Sequence, residues 1–179
     1  MIRIIIKLIK CINIFLIFLL SVMYINYQCN SKSFDIYNKS YNKNIKKYYN
    51  DKIIYVPKIN LYKKIEKANN NFSNMNYNIV YYNNFNVNDK IILFAHSGMG
   101  FGTYFNRIDE LNKSDELFLF NKNKEYKYYV YDKYLVNEND IYLMNNEMNS
   151  NKLLLITCDK NDKSKRLIVQ LYLKSVKNL

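Results

Sequence analysis

The chain has 179 residues and a formal net charge of +12, with 27 Lys and Arg against 15 Asp and Glu, a length that allows one domain and an appendage. One histidine and three cysteines exclude a disulfide framework and meet no zinc or calcium ligand spacing, so neither metal nor cofactor is expected. The charge would suit a polyanion, but the lysines are scattered and accompany an excess of Asn, Ile and Tyr (19 Tyr, no Trp). That pattern reads as compositional drift rather than a nucleic-acid site.

Residues 1–28 read as a membrane anchor. Arg3, Lys7 and Lys10 precede or interrupt an apolar segment whose core, Cys11 to Ile25, is broken only by Asn13 and Ser21. At 1.5 Å per residue this core spans about 22 Å, and including Ile4 to Ile9 with snorkelling lysines brings it to the hydrocarbon thickness of about 30 Å. Bulky residues from Tyr24 to Asn30 offer no small-residue cleavage site, which favours an uncleaved single-pass anchor. Positive charge on the N-terminal side keeps that end cytoplasmic and sends the remainder outward. Neither Cys11 nor Cys29 fits a lipoprotein pattern. Residues 29–51, rich in Asn, Lys, Ser and Tyr, read as a polar spacer with a short helix near its end.

From residue 52 to 179 the pattern becomes that of a mainly β domain. Ile53 to Val56 and Lys58 to Leu61 are strand-like around Pro57, which lacks a backbone donor and marks an edge or bend. Asn69 to Asn78 is a polar loop and Ile79 to Tyr82 a short strand. After a turn, Lys90 opens an apolar strand that ends in His96 and breaks into the loop Gly98 to Gly102. Tyr104, Phe105, Ile108 and Leu111 fall at spacings of three and four, predicting a helix of about two turns. Glu116 to Phe120 and Glu125 to Val136 predict a hairpin, with Tyr126, Tyr128, Val130 and Tyr134 on one face. Ile141 to Met144 reads as a further strand and Asn145 to Asn151 as a loop. Leu153 to Cys158 is a wholly apolar run that delivers a thiol to its own exposed end. Across a charged loop, Asp159 to Lys165, the last strand starts at Arg166, and its Leu167, Val169, Leu171 and Leu173 alternate with Ile168, Gln170 and Tyr172. About eight short strands with one or two small helices fit a closed or nearly closed barrel.

Cys158 and His96 both end apolar strands at loops, the usual place for side chains that work on a rigid scaffold. Strands pair about 4.8 Å apart, so a hairpin about Asp159 to Lys165 can bring the Arg166 guanidinium near the Cys158 sulfur. A thiol beside a fixed cation is a candidate nucleophile. Taken separately, a cysteine at a strand end is ordinarily inert, a lone histidine a satisfied polar group and an arginine at a strand start a solvated edge. Their order and placement are what single them out.

That order resembles the sortases, cysteine transpeptidases of bacterial cell surfaces. The matching residues are Ile156-Thr157-Cys158, Arg166-Leu167-Ile168-Val169 and the upstream Ala95-His96-Ser97-Gly98. Val56-Pro57-Lys58-Ile59 and the stretch from Tyr104 to Glu116 support them, and the resemblance runs from about Lys52 to Leu173. It implies a sortase-like barrel in which Cys158 attacks the Thr-Gly bond of a Leu-Pro-x-Thr-Gly-like sorting signal. His96 would protonate the leaving amine, and a cell-wall peptide amine or a pilin lysine would resolve the thioester. Arg166 would hold the substrate or its oxyanion, helped by a backbone N–H near Asp159, and the Thr157 hydroxyl would support the substrate. An unperturbed cysteine is only about 3% thiolate at pH 7 and an unperturbed histidine about 25% imidazolium, so the site must raise the productive pair. The implied partners are sorting-signal proteins, an amine acceptor and, through the anchor, the membrane. Two other readings stand beside this one. The first is a sortase-fold surface adaptor, or a hydrolytic cysteine peptidase, without transpeptidase activity. The second is a basic, Tyr-rich barrel that stacks single-stranded nucleic acid, which an outward-facing domain disfavours.

Overall fold

The computed structural model describes residues 7, 10, 12–23, 51–82, 85–86, 89–98, 102–140 and 151–179. The chain divides into two units, Met1–Ile45 and Lys46–Leu179. In the first, residues 12–23 are helical and their large apolar side chains, among them Ile14, Phe15 and Phe18, are exposed. No helix among the described residues is long and apolar enough to cross a membrane. The expected anchor extends beyond the described residues on both sides of this helix. The short helix expected near the end of the spacer and the strand expected at Ile141 to Met144 also lie outside them.

The second unit is a closed barrel of eight strands: β1 (Lys52–Val56), β2 (Leu61–Lys67), β3 (Ile79–Tyr81), β4 (Ile91–Phe94), β5 (Glu116–Asn121), β6 (Lys124–Asn137), β7 (Lys152–Cys158) and β8 (Lys165–Asn178). Around the barrel they run β1-β2-β3-β4-β7-β8-β6-β5. β2 pairs β3, and β4 pairs β7, in parallel, while the other neighbours are antiparallel. Closure leaves no open sheet edge. The β5–β6 hairpin turns on Lys122 and Asn123, both with positive φ (47° and 60°), the two-residue geometry whose twist matches the flanking strands.

Alternation along the strands splits the apolar residues between two clusters. Leu93, Leu117, Leu119, Tyr128, Leu153, Leu155, Val169 and Leu171 fill the barrel interior. Ile92, Leu154, Ile156 and Ile168 form a second buried cluster with Phe94, Tyr134 and Val136 packed on it. These residues alternate with the interior ones and so lie on the outer face of β4, β7, β8 and β6. The unbroken apolar run of β7 is thereby explained: both of its faces are covered.

Two sequence expectations change here. Tyr134 does not share a face with Tyr126, Tyr128 and Val130. β6 pairs β8 with an irregularity between Val130 and Asp132, where Val130 faces Leu171 and Asp132 faces Gln170. The extra residue, Tyr131, is a bulge that reverses the side-chain parity beyond it. The two-turn helix expected from Tyr104 to Leu111 is instead a series of turns ending in a 3₁₀ helix, Ile108–Glu110. Asn106, Ile108 and Leu111 donate to the carbonyls three residues back, and Phe105 donates to His96 O at 3.0 Å. Phe105, Ile108 and Leu111 are fully buried all the same, so the spacing correctly marks the inward face although the coil is tighter than α.

Candidate active site

β7 lies between β4 and β8, and its C-terminal end organises the site. The parallel β4–β7 register runs from Ile91 opposite Leu153 to Phe94 opposite Ile156. The ladder ends there, and His96 follows two residues past the end of β4. Three bonds hold the strand ends in that register: Ala95 N–H to Ile156 O at 3.4 Å, Thr157 Oγ1 to Ala95 O at 2.8 Å, and Ser97 Oγ to Cys158 O at 2.6 Å. On the other side Cys158 faces Arg166 across the β7–β8 hairpin. Because Asp159 N–H donates to Lys165 O at 3.0 Å, the Cys158–Arg166 pair is the non-hydrogen-bonded kind, with Cα atoms about 4.5 Å apart and side chains close.

Cys158 and Arg166 thus form a row across the ends of β7 and β8, and the residues on either side of His96 are bonded to the end of β7. The row continues the outer-face rows Ile92–Leu154–Gln170 and Phe94–Ile156–Ile168. Cys158 is free and half-buried. Inside the barrel rim a cleft of about 200 Å³ is lined by Cys158, Thr157, Phe105, Leu135 and Leu167, and by neither His96 nor Arg166. The β7–β8 loop is tied across its mouth by Lys160, whose Nζ donates to both Asp109 carboxylate oxygens at 2.9 Å.

His96 and Arg166 each have their own support. His96 Nε2 lies 3.0 Å from Asn76 Oδ1; with that carbonyl oxygen as the acceptor, the ring donates from Nε2. Asn76 is set by close packing. Gly102, at φ +84°, passes so near that a Cβ there would lie 2.0 Å from Asn76 O, and Tyr104 OH donates to Tyr77 O at 2.9 Å. Only glycine suits both that conformation and that approach. Arg166 Nη1 donates to Lys163 O at 2.8 Å and Lys165 O at 3.0 Å, and Nη2 pairs with the Glu138 carboxylate.

Two assigned roles meet different geometry. Thr157 is 4% exposed and its hydroxyl proton is engaged by Ala95, so it fastens the histidine strand to the cysteine strand. The Asp159 N–H is engaged in closing the hairpin on Lys165 O. Asn76, Ser97 and Glu138 were not singled out by sequence reasoning. Asn76 sits in a polar loop of an Asn-rich chain, and Glu138 at a strand end like many surface acids. Only Ser97, adjacent to His96, carried any signal. Among the described residues no group of three or more His, Cys, Asp or Glu could hold a metal ion.

A family model for the sortase domain matches residues 54–174. Among solved structures, sortase A of Listeria monocytogenes superposes with a TM-score of 0.63 at 21% identity, covering 72% of this chain and 89% of that one. Sortase C-3 of Streptococcus pneumoniae gives 0.63 at 17% identity, over 71% of this chain and 64% of that one. Sortase E1 of Streptomyces coelicolor, solved with a tripeptide in its active site, gives 0.60 at 13% identity, over 72% and 90%. Among curated proteins no sequence matches this chain.

Proposed function

Since the chain belongs to the sortase family, we propose that it is a cysteine transpeptidase that acts on a Leu-Pro-x-Thr-Gly-like sorting signal through a thioester on Cys158. The observation that supports this reading is the pairing of Cys158 with Arg166 at the ends of β7 and β8, with the neighbours of His96, Ala95 and Ser97, bonded to the same end of β7. On this reading Cys158 is the nucleophile, His96 the proton carrier and Arg166 the cation, each at the end of a barrel strand or just past it.

In the first half-reaction the Cys158 thiolate attacks the threonine carbonyl carbon. The C–N bond to glycine breaks, and the imidazolium of His96 gives its proton, from Nδ1, to the departing amine. Two Arg166 N–H groups outside its three contacts are available to the negative oxygen or the adjacent substrate carbonyl. In the second half-reaction an amine attacks the thioester carbonyl, the C–S bond breaks, and the amine's proton returns to His96. Water in place of the amine gives hydrolysis. Asn76 keeps the imidazole ring oriented through Nε2, and Thr157 and Ser97 keep the two strand ends aligned.

An N-terminal, uncleaved, single-pass anchor with the barrel outside the cell would present this site to secreted proteins and wall amines. The exposed apolar helix at residues 12–23 is consistent with part of such a span.

The test is to incubate the protein with a library of sorting-signal peptides and candidate amines and identify the products by mass spectrometry. Peptide–amine conjugates that disappear with Cys158→Ala and nearly disappear with His96→Ala are the expected result. Conjugates formed equally by Cys158→Ala would overturn the reading, and free acid alone would make the protein a hydrolase.

A further inference from the structure

Arg166 is only 15% exposed, and its surroundings contain an acid that the two half-reactions do not use. Glu138 is the first residue past β6. Its N–H donates to Ser164 O at 2.9 Å, extending the β6–β8 ladder beyond Asn137 opposite Lys165. Val136 faces Arg166 in that ladder, and Glu138 lies two residues on, so the two side chains share the outer face and meet diagonally. The Glu138 carboxylate pairs with Arg166 Nη2 while remaining 59% exposed itself.

The guanidinium has five N–H donors in a rigid plane. Two go from Nη1 to the carbonyls of Lys163 and Lys165, and one goes from Nη2 to Glu138. The carbonyls hold one end of the fork and could act as a pivot. The carboxylate at the other end fixes the rotation about it and so decides where Nε–H and the remaining Nη2–H point. We infer that Glu138 is a positioning residue for Arg166, one that aims the two unused N–H groups at the reacting carbonyl. This rests on the reading of Arg166 as the substrate- or oxyanion-binding group.

Because the Glu138 carboxylate is 59% exposed, solvent screens the pair from that side and its loss should change stability little, which makes the role separable from folding. Glu138→Gln keeps an oxygen that accepts from Nη2 and should retain turnover within about threefold. Glu138→Ala frees the fork, and kcat should fall about tenfold with KM nearly unchanged, as misorientation of a transition-state donor does. Both variants should melt with the parent. In an Arg166→Lys background, adding Glu138→Ala should cost nothing further, because the group it orients is gone.

The experiment is that cycle on the full-length chain, joined to side-chain NMR of the arginines. The chain has three, Arg3, Arg107 and Arg166, so Arg166→Lys assigns the signal. Glu138→Ala should shift the Arg166 Nη resonances and speed their solvent exchange, and Glu138→Gln should do so less. Unchanged Arg166 resonances in Glu138→Ala would overturn the inference whatever the turnover. So would an equal, additional loss of turnover in the Arg166→Lys background. If Arg166→Lys alone leaves turnover intact while Glu138→Ala still moves the resonances, the orientation stands and the role assigned to Arg166 falls.

Discussion

Replacing Thr157 by valine removes one hydroxyl from the joint between the histidine and cysteine strands. Thr157 is 4% exposed and its hydroxyl donates to Ala95 O at 2.8 Å. Valine nearly preserves the volume, so little cavity cost arises; the loss is that of a buried hydrogen bond and of the donor to a carbonyl that water reaches poorly. Such a change costs about 1–2 kcal/mol. For a folded unit running from Lys46 to Leu179, that corresponds to about 3–5 °C in Tm per kcal/mol, between the values for smaller and larger domains. Urea and thermal unfolding at pH 7 should show it. The same change loosens the alignment of His96 with Cys158, so kcat should fall while KM for a sorting peptide stays nearly constant. Unchanged stability with a raised KM would refute the argument and put the Thr157 hydroxyl on the substrate instead.

Other expectations follow from single residues. Tyr128 is fully buried, its hydroxyl has no hydrogen-bond partner among the described residues, and burial, with Tyr126 nearby, pushes its pKa well above the ordinary phenol value. Tyr128→Phe should therefore stabilise the barrel by about 1–3 kcal/mol in urea at pH 7. A phenol whose pKa is raised by folding contributes stability that is complete below its unfolded pKa of about 10 and lost as pH climbs beyond it, so the variant should also lose less stability between pH 9 and 11. Arg166→Lys keeps the charge and loses the planar fork, and should fold normally while its transpeptidation falls at least tenfold in a peptide assay. The soluble part should bind oligonucleotides weakly and without specificity; sub-micromolar affinity at physiological salt, falling steeply as salt rises, would favour the nucleic-acid reading. Protease added to intact cells should remove the barrel domain if the anchor orientation is right.

Much of this architecture was legible because it is written in periods of two. The alternation in Arg166 to Leu173 and the apolar run Leu153 to Cys158 fix β7 and β8, and the charged residues between them fix the hairpin that pairs Cys158 with Arg166. The pairing of β4 with β7 is different: it joins residues about 60 apart in sequence, and no local pattern in Ile91 to Phe94 announces a parallel neighbour. That the strand leading to His96 neighbours the strand ending in Cys158 could be expected only from the family resemblance. The Tyr131 bulge was invisible for a related reason, since a one-residue slip is set by the partner strand and not by the bulged one. The supporting groups were hidden because they act through backbone. Ser97 binds a carbonyl, Thr157 binds another, and Asn76 is set by the close passage of Gly102; these contacts exist only once the strands are assembled.

The account depends above all on Cys158 becoming acylated. The purified chain mixed with a Leu-Pro-x-Thr-Gly peptide in the absence of any amine acceptor should gain, by intact-protein mass spectrometry, the mass of the peptide's N-terminal fragment. The adduct should map to Cys158 and discharge when hydroxylamine is added. A folded chain that cleaves the peptide without passing through this adduct, or that forms it equally well as Cys158→Ala, would contradict the account.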